Sequence, residues 1–60
     1  MKPKEMIKVL EENGFTMVRS VGSHRRFEDG KGHKVTVPFH NKDLKPGTLN
    51  SILRQAGLKQ

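Results

Sequence analysis

Apolar residues enter this chain at helical spacing. In KPKEMIKVLEENGF, Met6, Ile7, Val9 and Leu10 fall at i, i+1, i+3 and i+4, which lays one apolar stripe along a helix. Pro3 suits the first turn, where its missing N–H has no partner to lose. Glu5 sits near the positive end of the helix dipole. No Ser, Thr, Asp or Asn precedes Pro3 as an N-cap, so this start is expected to fray. Gly14 after Asn13 predicts a left-handed stop.

From Phe15 the pattern alternates. In FTMVRSV, Phe15, Met17 and Val21 share one parity, interrupted by Arg19, and Val18 takes the other. This predicts a strand, with Met17 as core filler like Met6. Gly22-Ser23 predicts a tight turn, HRRFED a second strand, and Gly30-Lys31-Gly32 a second turn. HKVTVP predicts a third strand with Val35 and Val37 on one face. Pro38 cannot donate to a ladder, so it ends that strand or sits on an edge. FHNKDLK reads as a polar loop. Pro46 then opens a second helix, in which Leu49, Ile52, Leu53 and Ala56 fall at i, i+3, i+4 and i+7. Gly57 stops it, and Leu58 is placed for the hydrophobic contact that follows such a stop.

The order is α-β-β-β-α, an α+β fold in a single domain over residues 1–60. A three-stranded antiparallel sheet with two amphipathic helices is expected to carry both on one face and to leave the other open.

Size and composition narrow the function. A 60-residue chain buries only about 60% of the surface it would expose unfolded, so chemistry is expected on an exposed face rather than in a deep cavity. The chain has no Cys, which removes disulfides and thiolate metal sites and suits a reducing cytosol. No apolar run approaches the ~20 residues of a membrane span, and no signal-peptide core follows Met1. A soluble, cytoplasmic protein without membrane contact is expected. Twelve Lys and Arg against six Asp and Glu give a net charge of +6. Lys2, Lys4 and Lys8 cancel Glu5, Glu11 and Glu12 in residues 1–14, so the whole excess lies in residues 15–60. Such a cationic surface points to a polyanion.

Candidate chemistry gathers in GSHRRF, residues 22–27. Strand parity sends His24, Arg26 and Glu28 to one side and Arg25, Phe27 and Asp29 to the other. Phe27 is the natural core residue, which puts His24 and Arg26 on the open face. An exposed imidazole can give or take a proton near neutral pH, and neighbouring Arg and Lys can hold a phosphodiester. These are the minimal parts for cutting RNA: a base for the 2′-hydroxyl and cations for charge developing on phosphate oxygens. Ser23 adds a hydroxyl, and Gly22 permits close backbone approach. Lys34 adds a cation, and His40 is a possible substrate contact. Arg25 and Arg26 diverge, so one is expected on phosphate and the other at the core rim. The plain alternative is a surface histidine after a turn. His24, His33 and His40 are separated by nine and seven residues with no carboxylate cluster, which matches no compact metal-ligand pattern. His33 reads as a turn-edge residue.

These segments together resemble the HicA family of mRNA interferase toxins, the small partners in HicA–HicB toxin–antitoxin pairs. LEENGF leads into the first strand, GSHRRF resembles the family's Gly-Ser-His segment, VTVPFH its Val-Pro-x-His segment, and KPGTLNSILRQAGL its second helix. The resemblance implies a fold like that of double-stranded RNA-binding domains and RNA cleavage dependent on one histidine, here His24. No cofactor is implied. It also implies a HicB-like antitoxin partner, which matching potential would make acidic. Two other readings stay open. One is a non-catalytic RNA-binding domain, which would use basic residues such as Lys42 and Lys45 near the second helix. The other is a structural subunit of a basic ribonucleoprotein.

Overall fold

A computed structural model of the chain describes residues 1–58. The order is α1 (Pro3–Glu12), β1 (Thr16–Val21), β2 (His24–Glu28), β3 (Lys34–Pro38) and α2 (Pro46–Gln55). The strands make one antiparallel sheet in the order β1-β2-β3. This is the α+β arrangement the patterning predicts, and it is consistent with the double-stranded RNA-binding-domain likeness.

Phe27 on β2 and Val35 and Val37 on β3 point to the same side of the sheet. There they meet Met6 and Leu10 of α1, Ile52 of α2 and Ala56 at its C-cap, and Phe15 and Leu44 from the connections. Both helices therefore cover one face. Fully burying a side chain of this kind stabilises the fold by about 1.5–3 kcal/mol, and with so few of them each one matters.

Local chemistry sets the helix ends. The Phe15 N–H donates to the Leu10 carbonyl and the Gly14 N–H to the Glu11 carbonyl. The Leu58 N–H donates to Leu53 and the Gly57 N–H to Arg54 in the same pattern. Each is a Schellman stop, with the glycine in the left-handed region and an apolar residue closing over the last turn. The start of α1 is better held than its missing cap suggests. Lys2 gives no side-chain cap, but the Glu5 carboxylate accepts the Lys2 N–H at 2.9 Å. The Leu44 N–H donates to the Met1 carbonyl at 2.8 Å, and Lys2 Nζ donates to the Asn41 carbonyl at 3.0 Å. The β3–α2 connection thus pins the first turn.

β1 departs from expectation. Every one of its residues is exposed, and Met17 keeps 51% of its surface, so it is not core filler. The helices pack chiefly against β3, at the far edge from β1. The ladder also shifts within β1: Met17 pairs with Phe27, whereas Arg19 pairs with Arg26. Val18 is the additional residue of a β-bulge. Beyond it the parity inverts, so Val21 lies opposite His24 on the open face rather than on the face of Met17.

Candidate functional site

The register of the sheet builds the open face row by row. Val21, His24 and Pro38 lie across one row, Arg19, Arg26 and Thr36 across the next, and Thr16, Glu28 and Lys34 across the third. Opposed side chains on one face of an antiparallel pair start only about 4.5–5.5 Å apart, so each row is a contact set. The first two rows enclose a shallow depression of about 290 Å3, lined by Arg19, Val21, His24, Arg26 and Thr36.

His24 opens the central strand straight after the hairpin turn. Gly22 takes φ +55° while Ser23 keeps a negative φ, the pattern of a two-residue II′ turn, which needs glycine first. The Phe39 N–H donates to the Ser23 carbonyl, which extends the β2–β3 pairing past His24. Backbone pairing on both flanks therefore fixes where the His24 side chain leaves the sheet. The residue is exposed, and among the described residues no hydrogen bond or ion pair ties up its ring.

The other expected site residues divide. Arg26 shares the depression with His24, and Ser23 adjoins it in the turn. Lys34 is on the same face, two rows away and opposite Glu28. Arg25 pairs with Ser20 and Val37 on the helix-covered face, with its guanidinium carbon 4.2 Å from the centre of the Phe39 ring. Its Nε is buried without a hydrogen-bond partner. Arg25 is thus the rim residue of the adjacent pair, at a groove of about 390 Å3 that it lines with Lys4, Ile7, Met17 and Phe39. His40 lies past β3, where its Nδ1 accepts the Lys42 N–H at 3.2 Å. It lines two other depressions, one with Lys42 and Lys45 and one with Lys2 and Asn41.

Arg19, Val21 and Thr36 complete the depression although patterning did not single them out. Thr36 was legible from its alternation with Val35 and Val37. Arg19 and Val21 were hidden by the bulge.

His33 sits at the turn edge, as expected, and has a structural task there. Its Nδ1 lies 2.6 Å from Asp29 Oδ2, and its ring stands 6.4 Å, centre to centre, from Phe15. Asp29 Oδ1 accepts the backbone N–H groups of Lys31 at 2.8 Å and His33 at 3.1 Å. Desolvation raises the Asp29 pKa, but these hydrogen bonds and the nearby His33 outweigh it, and the net shift is downward. Among the described residues no three His, Cys, Asp or Glu side chains gather as metal ligands, and no helix is long and apolar enough to cross a membrane.

A family model described as the HicA toxin of bacterial toxin–antitoxin systems matches residues 3–58. The chain belongs to the HicA toxin family. The matched span contains all five elements and every residue of the open face, so the histidine-bearing depression lies wholly within the toxin domain. A toxin of this family works against an antitoxin partner. Comparison with curated proteins found no match.

Proposed function

We propose that this HicA-family toxin is an endoribonuclease that cleaves mRNA in the cytoplasm, with His24 as its proton-transfer residue. The observation that carries the reading is an exposed, untethered histidine on the central strand, paired on both sides, in a depression whose other polar lining is cationic or hydroxylic. His24 takes the proton of a ribose 2′-hydroxyl. The freed oxygen attacks the adjacent phosphorus, and the bond to the 5′ oxygen breaks. That oxygen takes a proton from the water reaching this open face, which leaves a 2′,3′-cyclic phosphate and a 5′-hydroxyl. Arg26 meets the charge developing on the phosphate oxygens, while Ser23 and Lys34 extend the contact along the strand. Arg25 and His40 would meet RNA only where it wraps past an edge of the sheet.

A positioned general base supplies about 10²–10⁴ in rate. His24→Ala is therefore expected to lose cleavage by that factor with unchanged circular dichroism and melting, because no core contact is removed. An oligonucleotide with a single 2′-deoxy sugar at the cut site should resist the wild type. Cleavage by His24→Ala at the wild-type rate would remove the assignment.

The non-catalytic alternative has one observation behind it. Lys42 and Lys45 line a depression beside the start of α2, where a binder of double-stranded RNA would place cations. Duplex binding that His24→Ala leaves intact, with no cleavage by the wild type, would favour it. The antitoxin partner is proposed to be HicB-like, acidic, and seated over the open face.

A further inference from the structure

Two arginines directly opposite one another make an unfavourable pair in an empty sheet. Arg19 and Arg26 form such a pair at the middle of the open face. Among the described residues neither is in an ion pair. Glu28, the carboxylate of this face, stands one row further on, between Thr16 and Lys34. Arg19 reaches this position because of the bulge. Under strict alternation it would share the face of Met17 and look toward α1.

We infer that Arg19 and Arg26 together form the phosphate-binding cleft of this face, with Thr36 as its third wall and Arg19 an equal partner of Arg26. The inference rests on the RNA-cleaving reading for its ligand, a phosphodiester of single-stranded RNA, but not on His24 being catalytic. Two guanidinium forks that approach one phosphate from neighbouring strands can engage its two non-bridging oxygens. The anion removes the repulsion that the free protein carries. The arginine row lies two residues along β2 from His24, about 7 Å at strand rise. Arginine side chains span that distance, so a phosphate held in the cleft brings its neighbouring ribose over the His24 row. Val21 and Pro38 supply apolar flanks there.

The test uses a fluorescein-labelled single-stranded RNA carrying 2′-O-methyl groups throughout, which the proposed chemistry cannot cut. Anisotropy titrations over a range of salt compare wild type, Arg19→Ala, Arg26→Ala, the double variant, Arg19→Lys, and Lys8→Ala as a charge control on α1. Each arginine deletion is expected to weaken binding about tenfold, in line with a charge-assisted contact. The double variant should reduce the log–log salt slope by about 0.7, the one phosphate contact on single-stranded RNA that the two arginines share, and each single deletion by less. In affinity the double variant should lose less than the two singles combined, because both act on one phosphate. Arg19→Lys should recover the slope but only part of the affinity. The melting temperature of Arg19→Ala without RNA should equal or exceed that of wild type.

If Arg19→Ala binds as Lys8→Ala does while the wild type still cleaves unmodified RNA, the cleft is wrong and the nuclease reading stands. If the wild type cuts nothing yet binds with the Arg19 dependence described, the cleft stands and the nuclease reading falls. Melting of Arg19→Ala well below wild type would also overturn the inference, since it would make Arg19 a structural residue.

Discussion

Asp29 does more than its place in a surface turn suggests. One carboxylate holds two backbone N–H groups and the His33 ring, and so shapes the connection between β2 and β3. Its pKa is lowered despite desolvation, which fixes the sign of a pH effect. Unfolding returns the group to an ordinary value of about 3.9, so the unfolded chain binds the proton more readily. The stabilisation is complete above that value and is lost as pH falls through the lower folded pKa. Melting measured from pH 6 down to pH 2 should therefore fall more steeply for wild type than for Asp29→Asn, which cannot titrate. Parallel curves for the two proteins would show that the carboxylate contributes nothing of this kind. At the same scale His24 was legible in the sequence: a core Phe27 three residues on settles its face by parity alone. The task of His33 was not, because its partners Asp29, Phe15 and the end of α2 come together only in the folded chain.

Helix stops are written in short local code, and both were readable from Asn13-Gly14 and Ala56-Gly57-Leu58. The structure adds a difference between them. Gly14 has φ +87° and open space where a Cβ would stand, whereas a Cβ on Gly57, at φ +71°, would come within 2.8 Å of His33 Nε2. Left-handed backbone costs an ordinary L-residue roughly 1–2 kcal/mol. Gly14→Ala is expected to lose about that much in denaturant unfolding. Gly57→Ala should lose more, since the His33 ring must also leave its place between Asp29 and α2. Coupling can be checked by placing Gly57→Ala on a His33→Ala background, where the excess over Gly14→Ala should vanish. An excess that persists would place the strain elsewhere. β1 shows the opposite case. Its bulge is a backbone event with no glycine or proline to announce it, and Arg19 reads only as an interruption of the alternation. An edge strand that the helices leave uncovered also gives burial no means of enforcing its pattern. The faces of β2 and β3 were legible because Phe27, Val35 and Val37 are buried; those of β1 were not because nothing there is.

At the scale of the molecule, area and charge decide how a partner could silence it. The chain measures 29 × 27 × 16 Å and exposes 4350 Å2. A protein interface of ordinary size takes about 800 Å2 from each partner, nearly a fifth of that surface, so a partner centred on the open face necessarily covers His24 and both arginines. Residues 1–14 are neutral while the rest carry the whole +6, so the field draws an acidic partner away from α1. Val21 of β1, opposite His24 and more than half exposed, offers it apolar contact at the edge of the same face. Inhibition would then be competition with RNA for one surface, with no change of fold required. Hydrogen exchange on the toxin mixed with the product of its adjacent gene should show strong protection across residues 22–28, extending into β1, together with loss of cleavage. The 2′-O-methyl RNA should displace the antitoxin in proportion to its concentration. Protection confined to residues 3–13, with RNA still bound to the complex, would mean the partner acts from the helical side and that the open face is not where control is exerted.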